Sequence, residues 1–300
     1  MSIAHLLGTV AASMLVSGVA PSHYLSPLFA GGETGVIIDP NYIGTMWQDA
    51  AKTIPVSSDG DPVRVITDYR GSGIEFVAPS DAHRPTYKTG TAEGWTHSTA
   101  YLQFSAGQIL RYSGTALNTA NISAYIRVES TVTGKWAFDF PQNTTNSYPY
   151  ARLSCWNSSN SFECRVNGTA YTTGGGSVFG TGKYPLCGSD PGNGRLFVND
   201  VENNLFTAQS ITYPNNQGVL IGGNPDNGEL MTGKFFGFCV FNRASTTTDI
   251  DLLIYWNNPN AVPPDKSKFY IAASKRYTVT KFGPPQAQVW STKRYVVSKP

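Results

Sequence analysis

The chain has 300 residues, of which 14% are charged, against about 25% in an average soluble protein. Its hydrophobic content of 40% and aromatic content of 12% support a packed core and exclude a disordered chain. A net charge of only +2 argues against a highly charged nucleic-acid binder, so we expect no nucleic-acid partner.

The N-terminal stretch is apolar and uncharged. The first 32 residues contain no Lys, Arg, Asp or Glu. A signal peptide is one alternative, with Gly18-Val19-Ala20 as the cleavage site, but no basic stretch precedes it and Pro21 would follow the cut. A transmembrane helix is disfavoured because Gly, Ser and His residues interrupt a run of about the minimum spanning length. We interpret residues 1–30 as an arm that docks on its own domain or on a neighbour, and we expect no membrane partner.

The middle of the chain is predicted to be an all-β sandwich. Short runs rich in β-formers alternate with turn residues such as Asn167-Gly168 and Asp190-Pro-Gly-Asn-Gly194. The predicted strands are 101–104, 122–128, 136–140, 150–156, 161–166, 195–198, 218–221 and 234–241.

A helical pattern of useful length appears only after these strands. Ser245-Thr-Thr-Thr-Asp249 offers an N-cap, and apolar residues recur as far as Trp256. Asn257-Asn258-Pro259 then ends the pattern, so we predict one short helix here.

The C-terminal stretch is basic and repetitive. Residues 262–300 hold eight of the 22 basic residues and one of the 20 acidic ones, a net charge of +7, which leaves −5 for the rest. The segments 274–281 and 292–299 share the pattern [ST]-K-R-Y-x-V-[ST]-K and alternate with a period of two, which predicts short strands. Two interpretations stay open: a hairpin packed on the parent domain, or strands that add to the sheet edge of a partner subunit.

Five segments together resemble a concanavalin A-like (laminin G-like) jelly-roll. The last of them, Met231 to Ser245, is the most specific, because family members commonly close with a strand ending in N-R-A-L-S and a short helix. In this chain Thr246 follows and the usual Leu is missing. The resemblance covers roughly 95–257 and implies a jelly-roll sandwich. The segments are 101–104, 122–128, 195–200, 219–223 and 231–245.

The upstream segment is similar to one that recurs in structural proteins of tailed bacteriophages, ahead of such a jelly-roll. The similarity begins with Ser26 to Pro40, continues through Met46 to Ala51, and reaches Arg84-Pro85. The usual W-Y-D-P-S is replaced by Ile37-Ile-Asp-Pro-Asn41. This resemblance implies a virion protein.

Motifs for catalysis or metal binding are weak throughout. The four histidines, His5, His23, His83 and His97, are scattered and are interpreted as surface or packing residues. Gly71-Ser72-Gly73 lacks the spacing of a nucleophile elbow, and Gly180-Thr-Gly-Lys183 fails the P-loop pattern. We read both as turns or surface loops.

The jelly-roll resemblance also raises the question of glycosidase activity, which requires two carboxylates across the scissile bond. The corresponding strand 136–140 offers only Asp139, so we expect no such activity. Family members can bind Ca²⁺ through loop oxygens, but Asp226, Asn227 and Glu229 do not approach a full ligand set. We interpret them as a solvated turn.

The four cysteines, Cys155, Cys164, Cys187 and Cys239, match no zinc signature. Cys155 and Cys164 flank a predicted hairpin and could pair under oxidising conditions. A virion assembles in a reducing cytosol, so buried free thiols are the default expectation.

Carbohydrate binding remains an alternative. Aromatic side chains stack on sugars while Asn and Asp bind hydroxyls, and the loops Asn143 to Tyr150 and Trp156 to Phe162 have both kinds of residue. The other interpretation is that these aromatics belong to the core.

The sequence therefore predicts a non-enzymatic virion structural protein of a tailed bacteriophage: an outer decoration, fibre or appendage subunit. We predict a jelly-roll with an extended N-terminal arm and a C-terminal β tail. Its partners are other virion proteins and copies of itself, and no catalytic, metal or cofactor residue is assigned. The alternative is a lectin-like receptor-binding module for host polysaccharide; an enzyme that degrades glycans ranks third. The predicted divisions are an arm (1–30), a phage structural-protein segment (31–94), a sandwich (95–261) and a basic tail (262–300).

Overall fold

A computed structural model describes the body of the chain. The described residues are 23, 25–91, 98–105, 107–117, 119–130, 135–141, 151–157, 161–167, 169–174, 186–198, 201–204, 207–208, 210–211, 218–223 and 230–257. Most of the predicted arm and the whole predicted tail lie outside these residues.

The regular secondary structure of the described residues is mostly β-strand, with one α-helix, α1 (Thr247–Asn257). Short 3-10 helices lie at Ser26–Phe29, Ile43–Thr45, Asp81–His83 and Pro191–Asn193. The strands are β1 (Gly35–Ile38), β2 (Met46–Trp47), β3 (Val65–Thr67), β4 (Glu75–Val77), β5 (Thr86–Thr91), β6 (Ser98–Phe104), β7 (Leu110–Tyr112), β8 (Ser123–Ser130), β9 (Lys135–Pro141), β10 (Ala151–Asn157), β11 (Ser161–Val166), β12 (Thr169–Gly174), β13 (Leu186–Asp190), β14 (Arg195–Val198), β15 (Val201–Asn204), β16 (Val219–Ile221) and β17 (Gly233–Phe241).

The strands form two antiparallel sheets. One has eight strands in the order β15-β14-β13-β8-β17-β6-β5, with β1 also paired to β17. The other has nine strands in the order β12-β11-β10-β9-β16-β7-β4-β3-β2. The prediction of an all-β sandwich is confirmed, and each of the eight predicted strand runs coincides with or overlaps an observed strand.

Alternation along the strands separates two hydrophobic cores. On β8, Ala124, Ile126 and Val128 point into the main core between the sheets, while Tyr125 belongs to a second core on the other face of the eight-stranded sheet. Residues on alternating positions face opposite sides of a sheet, which is why one strand serves both cores.

The second core lies against α1 and the segment that precedes β1. It contains Leu25, Leu28, Ile37, Tyr125, Cys239, Phe241, Ile250, Leu252, Leu253 and Trp256. The helix begins as predicted, because the Thr246 hydroxyl accepts the Asp249 N–H (3.2 Å) and the Asp249 carboxylate accepts the Thr246 N–H (2.7 Å).

The segment predicted as 31–94 contributes strands to both sheets. β1 pairs with β17 and β5 with β6, whereas β2 to β4 extend the nine-stranded sheet through the pairing of β4 with β7. On β17, residues 233–235 pair with β6 and residues 238–241 with β1. Between these two parts, the register of β17 with β8 shifts from Phe235 to Gly237. β1 thus covers the part of β17 that β6 does not reach.

Candidate functional site

A buried polar cluster joins the first and last described parts of the chain. We call His23, Asp39, Arg127 and Trp256 the terminal junction. The Asp39 Oδ2 atom accepts a hydrogen bond from His23 Nε2 (3.0 Å) and another from Trp256 Nε1 (3.0 Å). The His23 and Trp256 ring centroids are 6.5 Å apart. Residues separated by most of the chain therefore meet at one carboxylate oxygen.

Local sequence positions Asp39 for this role. It follows directly after β1, and its Oδ1 atom accepts the Asn41 backbone N–H (2.9 Å) and the Asn41 side-chain amide (2.8 Å). The Tyr42 N–H donates to the Asp39 carbonyl (3.1 Å) and closes the turn. Such Asx turns are favoured by the Asp-Pro-Asn sequence. The turn leaves Oδ2 for the two distant donors.

The electrostatics of the junction favour an ionised Asp39. Burial works to raise the pKa of Asp39. The hydrogen bond and the electrostatic attraction of His23, the charge of Arg127 and the hydrogen bond from Trp256 outweigh it and lower that pKa. The Arg127 guanidinium lies over the Trp256 ring, 4.8 Å from its centroid. The anion is thus held by donors and by a nearby cation.

The His23 ring is positioned on both sides. Its Nδ1 atom lies 3.0 Å from the Leu25 backbone nitrogen, which donates to it. Its ring packs against Tyr42 and Tyr69, with centroids 5.1 Å and 5.2 Å away. His23, interpreted as a surface or packing residue, is buried, and both of its ring nitrogens are engaged in hydrogen bonds.

Two arginines, Arg243 and Arg70, hold residues 28–35 against the body of the protein. Arg243 contacts Asp249, the Glu33 carboxylate (3.0 Å) and the Leu28 carbonyl (3.1 Å). Arg70 donates to the Gly35 carbonyl (2.5 Å) and stacks on the Phe29 ring, 3.6 Å from its centroid. These contacts connect residues 28–35 to the start of α1 and to the turn after β3.

Asp139, the carboxylate considered for glycosidase chemistry, lies on β9. Its neighbours Phe138 and Phe140 point into the main core, so Asp139 faces the opposite side of the nine-stranded sheet. Its side chain is buried, and in register it stands opposite Leu220, which in turn stands opposite Arg111.

Glu75 on β4 also faces this side, since its neighbour Phe76 lies in the main core. Three strand spacings separate Glu75 from Asp139 in the sheet order, a lateral distance of about 14 Å. This exceeds the roughly 6.5–9.5 Å between the paired carboxylates of inverting glycosidases. The two residues do not form such a pair.

The remaining candidates are dispersed. His83 is half-buried, and its Nδ1 lies 2.6 Å from the Ser80 hydroxyl. Cys155 and Cys164 stand opposite each other in the β10–β11 register, while Cys239 is a buried free thiol. Burial raises the pKa of Cys239. Outside the described residues lie His5, His97, Asp226, Asn227, Glu229, 143–150 and 180–183.

Within the described part of the chain, no group of three or more His, Cys, Asp or Glu side chains is arranged to hold a metal ion. Among the same residues no helix has the length and apolar character needed to cross a membrane.

Comparisons with known proteins concern the fold. No protein-family model matches the chain, and no curated protein matches its sequence. Similar solved structures include the Trypanosoma rangeli sialidase, with 10% identity, a TM-score of 0.46, and 78% of this chain and 34% of that chain covered. A GH54 α-L-arabinofuranosidase has 11% identity and a TM-score of 0.45, and the match covers 79% of this chain and 66% of that chain. A mutant NanB sialidase from Streptococcus pneumoniae has 14% identity and a TM-score of 0.39, and the match covers 50% of this chain and 26% of that chain.

The class that the fold defines is an all-β sandwich of two antiparallel sheets. The chain spans about a third of the sialidase and two thirds of the arabinofuranosidase. The prediction that the chain is not an enzyme was wrong by this comparison, because these similar structures are of sialidases and arabinofuranosidases. At such identities the likeness concerns the fold alone, so their activities are not transferred to this chain.

The sequence interpretation missed the terminal junction. It considered His23 alone, placed Trp256 on the predicted helix and used Asp39 only as part of a motif. The available signal was the Asp-Pro-Asn turn, which marks a carboxylate whose backbone is fixed. Its partners are 16 and 217 positions away, and no local pattern reveals them.

Proposed function

We propose that the chain is a structural protein of a tailed-bacteriophage virion, an outer decoration, fibre or appendage subunit. Its body is a concanavalin A-like jelly-roll, and its apolar arm and basic tail attach this body to neighbouring subunits. Its partners are other virion proteins and copies of the same chain.

The terminal junction carries this proposal. His23 is the first described residue and Trp256 the last but one, and both donate to the same oxygen of Asp39. Within the predicted arm (1–30), His23 therefore lies beside Trp256, which is close to the last described residue before the predicted tail (262–300). A subunit with both attachment segments at one end leaves the rest of its surface available to face outward.

The upstream resemblance supports the same function. The segment that resembles tailed-phage structural proteins contains Asp39 and supplies strands to both sheets. Its turns are fixed by carboxylates: Asp49 accepts the Ile54 N–H (2.9 Å), and Asp61 accepts the Ser57 N–H (2.8 Å). Segment and sandwich thus share one core, as expected if they occur together as a unit in such proteins.

Charge distribution suggests how the ends act. The tail carries a net charge of +7 and the rest of the chain −5, so the tail of one subunit is attracted to the body of another. Apolar burial by the arm and strand addition by the tail repeats would then provide the lasting contacts.

Removal of residues 262–300 tests the proposal, because the truncation leaves α1 and the junction in place. We expect an unchanged circular dichroism spectrum and loss of incorporation into particles. A matched control keeps the tail at full length but reorders residues 274–281 and 292–299 at constant composition, which separates charge from strand pattern. Normal incorporation of the truncated chain would contradict the proposal.

Of the two loops behind the lectin-like alternative, 143–150 lies outside the described residues, and 156–162 is described only at its ends, which belong to β10 and β11. A glycan array probed with the full chain tests it directly. If the full-length chain binds a glycan specifically and is not incorporated into particles, the lectin-like function replaces the structural one.

A further inference from the structure

A two-residue turn, Asn167-Gly168, joins β11 to β12. The flanking residues Val166 and Thr169 stand opposite each other in the register of the two strands. Asn167 has φ +51°, a conformation that Asn adopts more readily than most residues and that a type I′ hairpin turn requires. The residue is also exposed. The tip of this hairpin therefore presents the Asn167 side chain to solvent.

The Asn167 side chain also holds the peptide unit between Ser210 and Ile211. Its Nδ2 atom donates to the Ser210 carbonyl (2.9 Å). The N–H of the same peptide unit, on Ile211, donates to the Ala120 carbonyl (2.7 Å). The Ile211 side chain is buried in the main core. An exposed side-chain amide thus helps to fix a peptide unit that anchors a core residue.

We propose that Asn167 is a site of spontaneous deamidation that loosens this contact. The backbone nitrogen of Gly168 attacks Cγ of Asn167, the new N–Cγ bond replaces the Cγ–Nδ2 bond, and Nδ2 leaves as ammonia with the proton of the attacking nitrogen. Water then opens the resulting succinimide to an aspartyl or an isoaspartyl residue. Gly hinders this attack least because it has no side chain beside the nitrogen. The reaction consumes only water, and it does not depend on the proposed function.

A second Asn-Gly sequence, Asn193-Gly194, provides the comparison within the same chain. Asn193 is half-buried, and its Nδ2 donates to the Asp190 carboxylate (2.7 Å) and to the Ser245 carbonyl (2.8 Å). Both acceptors belong to buried residues, so no water replaces the amide when it turns toward the attacking nitrogen. At the exposed Asn167, water can replace the contacts that are broken. Loss of a hydrogen bond at a buried acceptor slows the reaction by about tenfold or more, so we expect Asn193 to react more slowly than Asn167.

Deamidation changes the contact with Ser210 in two ways. A carboxylate only accepts hydrogen bonds, so it cannot replace the Nδ2 donor, and it repels the Ser210 carbonyl oxygen. The isoaspartyl product also inserts one more carbon into the main chain of the turn, which then no longer fits between Val166 and Thr169. Either product releases one side of the peptide unit that carries the Ile211 N–H.

Ageing of the full chain tests the reaction. The chain is kept at mildly alkaline pH for several weeks, and the deamidated fraction at Asn167 and at Asn193 is measured by peptide mass spectrometry. The same experiment in guanidinium chloride gives the rate at each site in the unfolded chain. We expect folding to protect Asn193 about tenfold more than Asn167. Equal protection of the two sites, or stronger protection of Asn167, would overturn the proposal.

Two variants test the loosening. Asn167→Asp reproduces the aspartyl product, whereas Asn167→Gly removes the side chain, tolerates the positive φ and adds no charge. Hydrogen exchange of the Ile211 amide reports on its bond to the Ala120 carbonyl. We expect exchange about tenfold faster in Asn167→Asp than in the native chain, with Asn167→Gly in between. The Phe138 amide in β9 is the control and should be unchanged. Native-like exchange of Ile211 in Asn167→Asp, or equally faster exchange of Phe138, would refute the loosening.

Discussion

Replacement of Asp39 by Asn tests the terminal junction with the smallest change in shape. The carboxylate accepts four hydrogen bonds, two at Oδ2 from His23 and Trp256 and two at Oδ1 from Asn41. The Asn side chain has one acceptor oxygen and one NH₂ group. In either orientation of the amide, the NH₂ group therefore faces two hydrogen-bond donors, and both of those hydrogen bonds are lost. Each lost hydrogen bond to a charged group is worth about 1.5–3 kcal/mol.

The expected loss in the free energy of unfolding is about 3–5 kcal/mol, because two such bonds are lost and the attraction between Arg127 and the Asp39 charge is removed. Urea unfolding followed by circular dichroism measures it. Asp81→Asn is the control, since the Asp81 side chain is 79% exposed, and it should change stability by less than about 0.5 kcal/mol.

The pH dependence gives a second check on the same residue. The pKa of Asp39 is lower in the folded chain than its ordinary value. Its contribution to stability is therefore complete above the unfolded pKa of about 3.9 and is lost as the pH falls through the folded value. Asp39→Asn should remove this acid-dependent loss. A variant that unfolds within about 1 kcal/mol of the native chain would refute the reasoning, because the hydrogen bonds would then contribute little.

Three further predictions concern β17 and α1. Gly237→Ala should lower the free energy of unfolding in urea by about 2–4 kcal/mol, because Gly237 has φ +153° and a Cβ there would lie 2.4 Å from the Trp256 ring. In the control Gly44→Ala, the added Cβ meets no atom within 4 Å, so stability should hardly change. Thr246→Ala should lower stability by about 1 kcal/mol in the same assay through loss of the N-cap, and an unchanged midpoint would contradict that role. Cys239 should resist alkylation at neutral pH until urea unfolds the chain, because burial raises its pKa and excludes the reagent; rapid labelling of the native chain would show that the second core is open.

Local patterns predicted much of the sandwich. The eight strands with alternating or β-rich runs were predicted because their own residues determine them. The helix was predicted from its cap and from Pro259, and its observed bounds, Thr247–Asn257, agree. Short strands such as β2 and β4, with two and three residues, were not predicted individually, since a run that short carries no measurable period.

Pairing of distant segments was beyond local reasoning. β1 lies beside β17 although their paired residues, such as Gly35 and Phe241, are about 200 positions apart. The uncharged sequence Gly-Val-Ile-Ile of β1 is consistent with burial on both faces, but many partners would satisfy it equally. β1 occupies the part of β17 that β6 leaves unpaired, since β6 pairs with residues 233–235 and β1 with residues 238–241.

The sequence by itself determined the class of fold, the helix and the unequal charge of the two ends, because these depend on neighbouring residues and on composition. Tertiary structure alone decided that His23 and Trp256, which lie near the two ends of the described chain, meet at Asp39. The hydrogen bond from Trp256 to Asp39 spans 217 positions, and a buried carboxylate is stable only where several donors converge on it. That convergence depends on how β1 and α1 are placed against the eight-stranded sheet, which is why no single segment of the sequence reveals it.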